Sequence, residues 1–208
     1  KKVESRWLPA MRRFQGAELS GAPLDNAALF YPFSGPDILM AAVFFPHSPV
    51  YVMVGLEPAG TLPTPKQIAR EDLSRYLAEV RESVSSELER SFFITREMDR
   101  EFRGQVTDGL LPPILLLLAR TGHTVLGHRY VRLDAEGRIV ERAAGYRAPG
   151  RTGNLGVEID FRGRAGTPAH KLFYFSVNLS DKRLQENKPF LAFLEGLVAT
   201  EPPLDYLR

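Results

Sequence analysis

Residues 27–60 are the most apolar and most interrupted stretch of the chain, and they constrain the fold more than any other segment. Residues 28–31 form a short apolar run that ends at Pro32, which predicts a buried strand because proline cannot donate to a strand ladder. Residues 38–45 include no polar side chain and predict a short buried helix. Residues 50–56 are apolar, largely β-branched, and predict a second strand. The three elements together predict a strand–helix–strand unit with parallel strands.

The polar residues between the first strand and the helix have several interpretations. Ser34 or Gly35 suits the N-cap, Pro36 suits the first helical position, and Asp37 suits the positive end of the helix dipole. Ser34, Asp37 and His47 also supply the side-chain types of a hydrolytic triad, but their spacing matches no known template and no G-x-S-x-G elbow is present. The amides at this helix start could bind an anion, which the charge of Asp37 would oppose.

The middle of the chain predicts helices followed by a hairpin. A capping box at residues 64–67 predicts a helix that continues to about Arg90. Residues 110–120 predict a buried helix with two prolines in its first turn. Residues 124–134 and 138–142 predict a β-hairpin with Gly137 in its turn. The apolar stripe of the first of these helices comprises Ile68, Leu73, Tyr76, Leu77, Val80, Val84 and Leu88.

Two further strands and two further helices are predicted toward the carboxyl terminus. Residues 156–162 alternate strictly, which predicts a half-exposed strand with Glu158 and Asp160 on its polar face. If a loop covered that face, the two carboxylates could form a cation site or a glycosidase-like site. Residues 170–177 predict a more apolar strand, and two short helices follow, the second over residues 189–198.

This order of elements predicts an α/β (α+β) fold, with a mixed, partly parallel sheet and helices packed on it. A length of 208 residues is that of one domain, and we expect a single domain over residues 1–208. Its sections are an N-terminal extension (1–26), the central strand–helix–strand (27–60), a helical segment (61–122), and the later strands with the C-terminal helices (123–208).

Composition excludes several classes of function. The chain has no cysteine, which rules out disulfides, thiolate catalysis and cysteine zinc sites. Its net charge of +2 and the dispersed basic residues argue against nucleic-acid binding.

His123 and His128 lie five residues apart, which places them on opposite faces of a strand, and His170 is isolated. No common metal-binding or nucleotide-binding motif is present, so we predict no metal and no cofactor.

The sequence predicts no transmembrane segment, because no run approaches the roughly 20 apolar residues that span a bilayer. The chain begins at Lys1 without a methionine, so a leader or a lipid anchor could precede it.

Two further groups of residues are candidates for binding. Arg147 and Arg151 lie in a glycine-rich loop, and their guanidinium groups could hold a phosphate or a carboxylate; a solvated connector is the alternative. Asn178 and Asp181 follow the last predicted strand. Because open α/β sheets place their sites at the carboxyl ends of strands, we expect these two residues to gather with residues 32–37 and Glu57.

The motifs FYPFSGPD (residues 30–37) and LFYFSVNLSD (residues 172–181), the latter followed by FLAFLEGL, resemble those of a family of uncharacterised bacterial proteins. The family has a similar FYPFSGPD motif, a VGLEP segment and a YYFSxDLSD-like motif. Asn178 occupies the position of an acidic residue in that last motif. The resemblance implies an exported or lipid-anchored protein of the bacterial envelope, either periplasmic or at the surface, and implies no activity.

These observations leave two hypotheses of function. The first is a non-catalytic, envelope-associated domain that binds a small molecule or a protein partner. The alternative is a hydrolase-like enzyme of unrecognised type with a site near Ser34 and Asp37, in the envelope or otherwise in the cytoplasm.

Overall fold

A computed structural model of the chain describes residues 3–20, 27–64, 73–89, 109–144, 146, 154–163 and 168–200. These residues form one mixed sheet and six α-helices. The strands are β1 (Leu29–Tyr31), β2 (Val50–Gly55), β3 (Thr124–Leu133), β4 (Ile139–Glu141), β5 (Leu155–Arg162) and β6 (Ala169–Ser176). The helices are α1 (Leu8–Phe14), α2 (Ile38–Phe44), α3 (Leu73–Glu89), α4 (Leu111–Arg120), α5 (Asp181–Glu186) and α6 (Lys188–Thr200). Short π-helical turns flank α1, and a 3-10 turn (Gly35–Asp37) precedes α2.

The six strands are ordered β1-β2-β6-β5-β3-β4. β1, β2 and β6 run parallel, whereas β5, β3 and β4 each run antiparallel to the preceding strand in this order. The prediction of a mixed, partly parallel sheet with helices packed on it is therefore confirmed. The carboxyl ends of the three parallel strands meet at one edge of the sheet.

The central strand–helix–strand unit is also confirmed. β1 pairs in parallel with β2, with Leu29 opposite Tyr51, and the connection between them contains α2. Ile38, Leu39 and Ala41 of this helix are buried, as expected for a helix without polar residues.

Helices cover both faces of the sheet and form two apolar cores. On one face, α2 and α4 pack against side chains such as Met53, Ile159 and Tyr174. On the other face, Phe190 and Phe193 of α6 pack against the strands. The interior strands β2 and β6 contribute side chains to both cores and are therefore covered on both sides, which explains their largely apolar sequences.

The predicted hairpin and the proline-initiated helix are confirmed. Gly137 adopts a φ of 77° in the turn between β3 and β4, in the left-handed region that glycine favours. Pro112 and Pro113 lie in the first turn of α4. The predicted helix from residue 64 is present as α3, although residues 65–72 lie outside the described part. Its apolar stripe is only partly covered, because Val80 is buried whereas Leu73 and Leu77 are exposed.

The predicted exposure of Glu158 on β5 is wrong, whereas the side chain of Asp160 is 49% exposed, as a half-exposed strand requires. β5 is an interior strand between β3 and β6, and Glu158 is only 2% exposed. Arg129 of β3 donates two hydrogen bonds to Glu158 Oε2, and Lys171 of β6 contacts Oε1. Lys171 also contacts Asp160, at 2.7 Å. Strict alternation predicted that Glu158 would face solvent, but long basic side chains from both neighbouring strands cover it.

The amino-terminal section contributes to the core as well, since Leu8 of α1 is buried among the residues of α2 and α4. No helix among the described residues has the length and apolarity needed to cross a membrane.

Candidate functional site

A cleft of about 530 Å³ opens at the edge of the sheet where β1, β2 and β6 end. Its polar wall consists of Ser34 and Asp37, which follow β1, Glu57, which follows β2, and Asn178, which follows β6. The four residues come from three separate segments, and the parallel pairing of the strands brings them together. This is the edge at which open α/β sheets place their ligands.

The remaining wall of the cleft is mainly apolar. It includes Tyr31, Phe33, Met40, Val54, Leu56 and Leu179. The rings of Tyr31 and Phe33 lie 5.0 Å apart. Leu56 is 58% exposed, and Phe33 is also exposed, so apolar surface at the rim of the cleft faces solvent.

Glu57 is the most unusual residue of the cleft. It is only 1% exposed, and its Oε2 accepts a hydrogen bond of 3.2 Å from the hydroxyl of Ser34. Its Oε1 is buried and has no hydrogen-bond partner among the described residues. A buried carboxylate normally has its oxygens satisfied, so this unpaired atom requires an explanation, and a ligand bound in the cleft would supply one.

The close packing around Glu57 depends on Gly55. A Cβ atom at position 55 would lie 2.6 Å from Glu57 Oε2 and 2.7 Å from the hydroxyl of Tyr174. That hydroxyl donates a hydrogen bond of 2.8 Å to the backbone oxygen of Glu57. Burial, followed by the nearby charge of Glu57, raises the pKa of Tyr174 well above its usual value, so the phenol keeps its proton.

Asp37 supplies a second carboxyl group to the cleft. Its side chain is mostly buried, and this burial raises its pKa from 3.8 to about 6. The pKa of Tyr31 is raised to about 12 by its burial and by the charge of Asp37. An acid whose pKa is raised by desolvation in a cleft is a recognised sign of a functional site.

Ser34 and Asp37 occupy the positions predicted for them at the helix start, but their side chains do not cap it. Ser34 precedes the 3-10 turn and Asp37 precedes α2, but neither side chain makes a capping hydrogen bond. The hydroxyl of Ser34 instead binds Glu57. The backbone N–H of Asp37 donates to the carbonyl of Ser34, so that amide is occupied. Two carboxyl groups and one engaged amide make this helix start unsuited to anions.

The structure does not bring His47 to Ser34 and Asp37. His47 is exposed in the turn that precedes β2, whereas Ser34 follows β1, and the two strands are parallel. His47 therefore lies at the amino ends of the parallel strands and Ser34 at their carboxyl ends, too far apart for a hydrolytic triad.

The other predicted site residues differ in their position relative to the cleft. Asn178 lines the cleft, and its Oδ1 accepts a hydrogen bond from the backbone N–H of Ser180. Asp181 is exposed at the start of α5, outside the cleft wall that the described residues form. Arg147 and Arg151 lie outside the described residues.

The histidines form no metal site. His123 and His170 lie near each other at the end of the sheet opposite to the cleft, with ring centroids 6.5 Å apart. Each is engaged, His123 Nδ1 with the hydroxyl of Thr121 and His170 Nδ1 with the carbonyl of Ser48. Within the described ranges, no three histidine, aspartate or glutamate side chains converge on a point where a metal ion could bind.

A second cleft of about 560 Å³ adjoins the first and shares Leu56, Val177 and Asn178 with it. Its polar wall includes Asn154 and Asn187, whose side-chain amides donate to each other over 2.8 and 2.7 Å. These amide groups satisfy each other, which distinguishes this cleft from the one that contains the unpaired Glu57 oxygen.

Sequence reasoning missed most of the apolar lining of the cleft, and it also missed Gly55, Tyr174 and Tyr31. Two of them carried a signal that could have been used. Gly55 interrupts an otherwise β-branched and aromatic strand, which indicates a close approach of another group. Tyr174 brings a hydroxyl into the otherwise apolar run of residues 172–175, and a buried hydroxyl requires a partner.

Comparison of the chain with protein-family models, with curated proteins and with solved structures finds no match. The geometry of the cleft at the ends of β1, β2 and β6 therefore carries the functional assignment.

Proposed function

We propose that this chain is a ligand-binding domain, and that its site is the cleft at the carboxyl ends of β1, β2 and β6. One observation carries the proposal: Glu57 lines this cleft with a buried Oε1 that no described residue satisfies. An unsatisfied buried acceptor costs about 1–3 kcal/mol, and more if it is charged. A ligand that donates a hydrogen bond to Oε1 would remove this cost.

The shape and the lining of the cleft support the same function. Its volume of about 530 Å³ lies within the range of small-molecule sites, roughly 300–1,000 Å³. Such sites combine an apolar wall with a few polar groups, and here the polar groups are Ser34, Asp37, Glu57 and Asn178. The exposed Phe33 and Leu56 at the rim would lose contact with water when a ligand enters.

The proposal includes a location in the bacterial envelope, which rests on the motif resemblance at residues 30–37 and 172–181 alone. Fractionation of cells that express the full-length gene tests this location independently of binding. Recovery of the protein in the cytoplasmic fraction would remove the envelope from the proposal and leave the cleft unaffected.

Native mass spectrometry of freshly purified protein tests the binding function. We expect a small molecule retained at one copy per chain, and loss of this molecule in Asn178→Trp, since Asn178 is exposed and lines the cleft. Gln185→Trp is the matched control, because Gln185 is exposed on α5 outside the cleft. Unchanged retention in Asn178→Trp would place binding elsewhere and contradict the proposal.

A second candidate function is supported by one contact. The hydroxyl of Ser34 donates to a carboxylate oxygen of Glu57, as a serine nucleophile would to a general base, and Asp37 could serve as an acid near neutral pH. This supports the alternative of a hydrolase-like enzyme at the same cleft. Hydrolysis of an ester panel that is abolished by Ser34→Ala, with a folded variant, would favour the enzyme over the binding domain.

A further inference from the structure

We infer that the cleft takes a cationic amine that carries an apolar group, with its ammonium group bound between the carboxyl groups of Glu57 and Asp37. This inference rests on the proposed ligand-binding function and gives the chemical class of the ligand.

The charged groups of the cleft are all acidic. Its wall contains the two carboxyl groups of Glu57 and Asp37, and no lysine, arginine or histidine occurs among its described lining residues. The basic side chains Arg129 and Lys171 are bound to Glu158 on the strands β3, β5 and β6. Buried carboxylates are normally paired with a positive charge, so the missing partner of this cleft is a cation.

The hydrogen-bonding capacity of the cleft matches an ammonium group. Ser34 occupies Oε2 of Glu57 and leaves Oε1 as an acceptor. The side chain of Asp37 makes no capping bond and provides further acceptor oxygens. An ammonium group has three donors and no acceptor, so it can use both carboxyl groups at once. A neutral hydroxyl has a single donor and leaves the charges uncompensated.

The apolar wall of the cleft indicates that the ligand also carries an apolar group. The rings of Tyr31 and Phe33 pack 5.0 Å apart beside the acidic residues, and Met40, Val54 and Leu179 continue the apolar surface. Aromatic faces attract cations as well as apolar groups. A small inorganic cation would leave this surface in water, whereas an amine with an apolar substituent covers it.

The experiment uses three probes that share a phenylethyl group, which are 2-phenylethylammonium, 2-phenylethanol and 3-phenylpropanoate. Binding is followed by the backbone amide signals of the isotope-labelled protein, with Phe33, Gly55 and Asn178 as reporters of the cleft. We expect the ammonium probe to saturate these shifts at a concentration at least about tenfold lower than the alcohol. We expect no saturation by the carboxylate.

Variants test the assigned groups. Glu57→Gln keeps an acceptor for Ser34 but removes the charge, so the preference for the ammonium probe over the alcohol should fall. Asp37→Asn should reduce the same preference, and it serves as the second test if Glu57→Gln does not fold. Glu136→Gln is the matched control, because Glu136 is an exposed carboxylate in the β3–β4 turn. It should leave the preference unchanged.

The outcomes separate the ligand class from the site. Equal saturation by ammonium and alcohol, tighter binding of the carboxylate, or no ammonium-dependent shift at millimolar concentration would each overturn the cationic ligand. None of these results changes the retention experiment with Asn178→Trp, which tests the cleft itself. Shifts confined to residues outside the cleft would also overturn the cationic ligand, and the retention experiment would still decide whether the cleft is the binding site.

Discussion

Ser34 Oγ donates a hydrogen bond of 3.2 Å to Glu57 Oε2, and this bond joins the ends of the neighbouring parallel strands β1 and β2. Ser34 stands at the position of an N-cap, yet its side chain is directed to the carboxylate of another segment. The wall of the cleft is therefore held by a side-chain contact across two strand ends.

Removal of this hydroxyl should destabilise the protein. In Ser34→Ala, Oε2 of Glu57 loses its partner, so neither carboxylate oxygen has one while the residue stays buried. We expect the free energy of unfolding to fall by about 1–3 kcal/mol, measured from the denaturant midpoint. Ser180→Ala is the matched control, because Ser180 is exposed and makes no side-chain capping bond. An equal loss in both variants would show that the contact with Glu57 contributes nothing.

A methyl group at position 55 should disturb the same cluster. The Cβ atom of Gly55→Ala would lie within 2.7 Å of both the Glu57 carboxylate and the Tyr174 hydroxyl. The lower backbone entropy of alanine stabilises by only about 0.5–1 kcal/mol, whereas overpacking costs about 1–3 kcal/mol, so a net loss of stability is expected. Thermal unfolding measures this loss. Gly127→Ala is the control, since its Cβ would meet no atom within 4 Å and should cause no loss.

The charge of Asp37 should lower stability near neutral pH. Its folded-state pKa of about 6 lies above the unfolded value near 3.8, so the folded state holds the proton more tightly. This contribution to stability is fully present below about pH 3.8 and is lost as the pH rises through about 6. Asp37→Asn removes the charge, and we expect it to stabilise the protein by about 1–3 kcal/mol at about pH 7.5.

The pH dependence itself is the control for Asp37→Asn. Near pH 4 the aspartate of the folded wild type is protonated, so the difference in melting temperature between variant and wild type should largely vanish. A stabilisation of equal size at both pH values would mean that packing or hydrogen bonding is responsible, and that ionisation of Asp37 is not.

Substitutions of Glu158 and of its two basic partners should have non-additive effects on stability. Glu158 is 2% exposed, while the side chains of Arg129 and Lys171 that cover it are partly exposed. Replacing both basic residues by methionine leaves a buried, uncompensated charge and should cost about 3–5 kcal/mol. Glu158→Gln alone leaves only partly exposed cations and should cost about 1 kcal/mol.

The double-mutant background provides the decisive comparison for this cluster. Adding Glu158→Gln to the Arg129→Met and Lys171→Met variant removes the buried charge and should recover part of the lost stability. Chemical denaturation of all four proteins measures the coupling. If the triple variant is less stable than the double, the ionised carboxylate is not the source of the loss.

Local sequence patterns were sufficient to predict most elements of the fold. The apolar runs of residues 28–31 and 50–56 became β1 and β2, and the uninterrupted apolar run between them became α2. Gly137 between two alternating segments gave the hairpin. The local backbone preferences of proline and glycine and the pattern of apolar residues determine these elements. Both can be recognised within a short stretch of sequence.

Contacts between distant segments could not be predicted in the same way. Ser34 and Glu57 lie 23 residues apart, so the sequence favoured the local capping role of Ser34 over the distant carboxylate. Glu158 alternated with apolar neighbours and was predicted to face water. Arg129 covers it from 29 residues away, and only the order of the strands reveals this contact.

β1 contributes only three residues to the sheet and lies at its edge, where it pairs with β2 alone. The polar wall of the cleft thus connects the shortest parallel strand with the interior strands β2 and β6. A molecule bound across these strand ends would be lost whenever β1 detaches, so binding and detachment are thermodynamically linked. Amide exchange in β1 would then slow in proportion to occupancy, and the strand edge itself would report on the bound ligand.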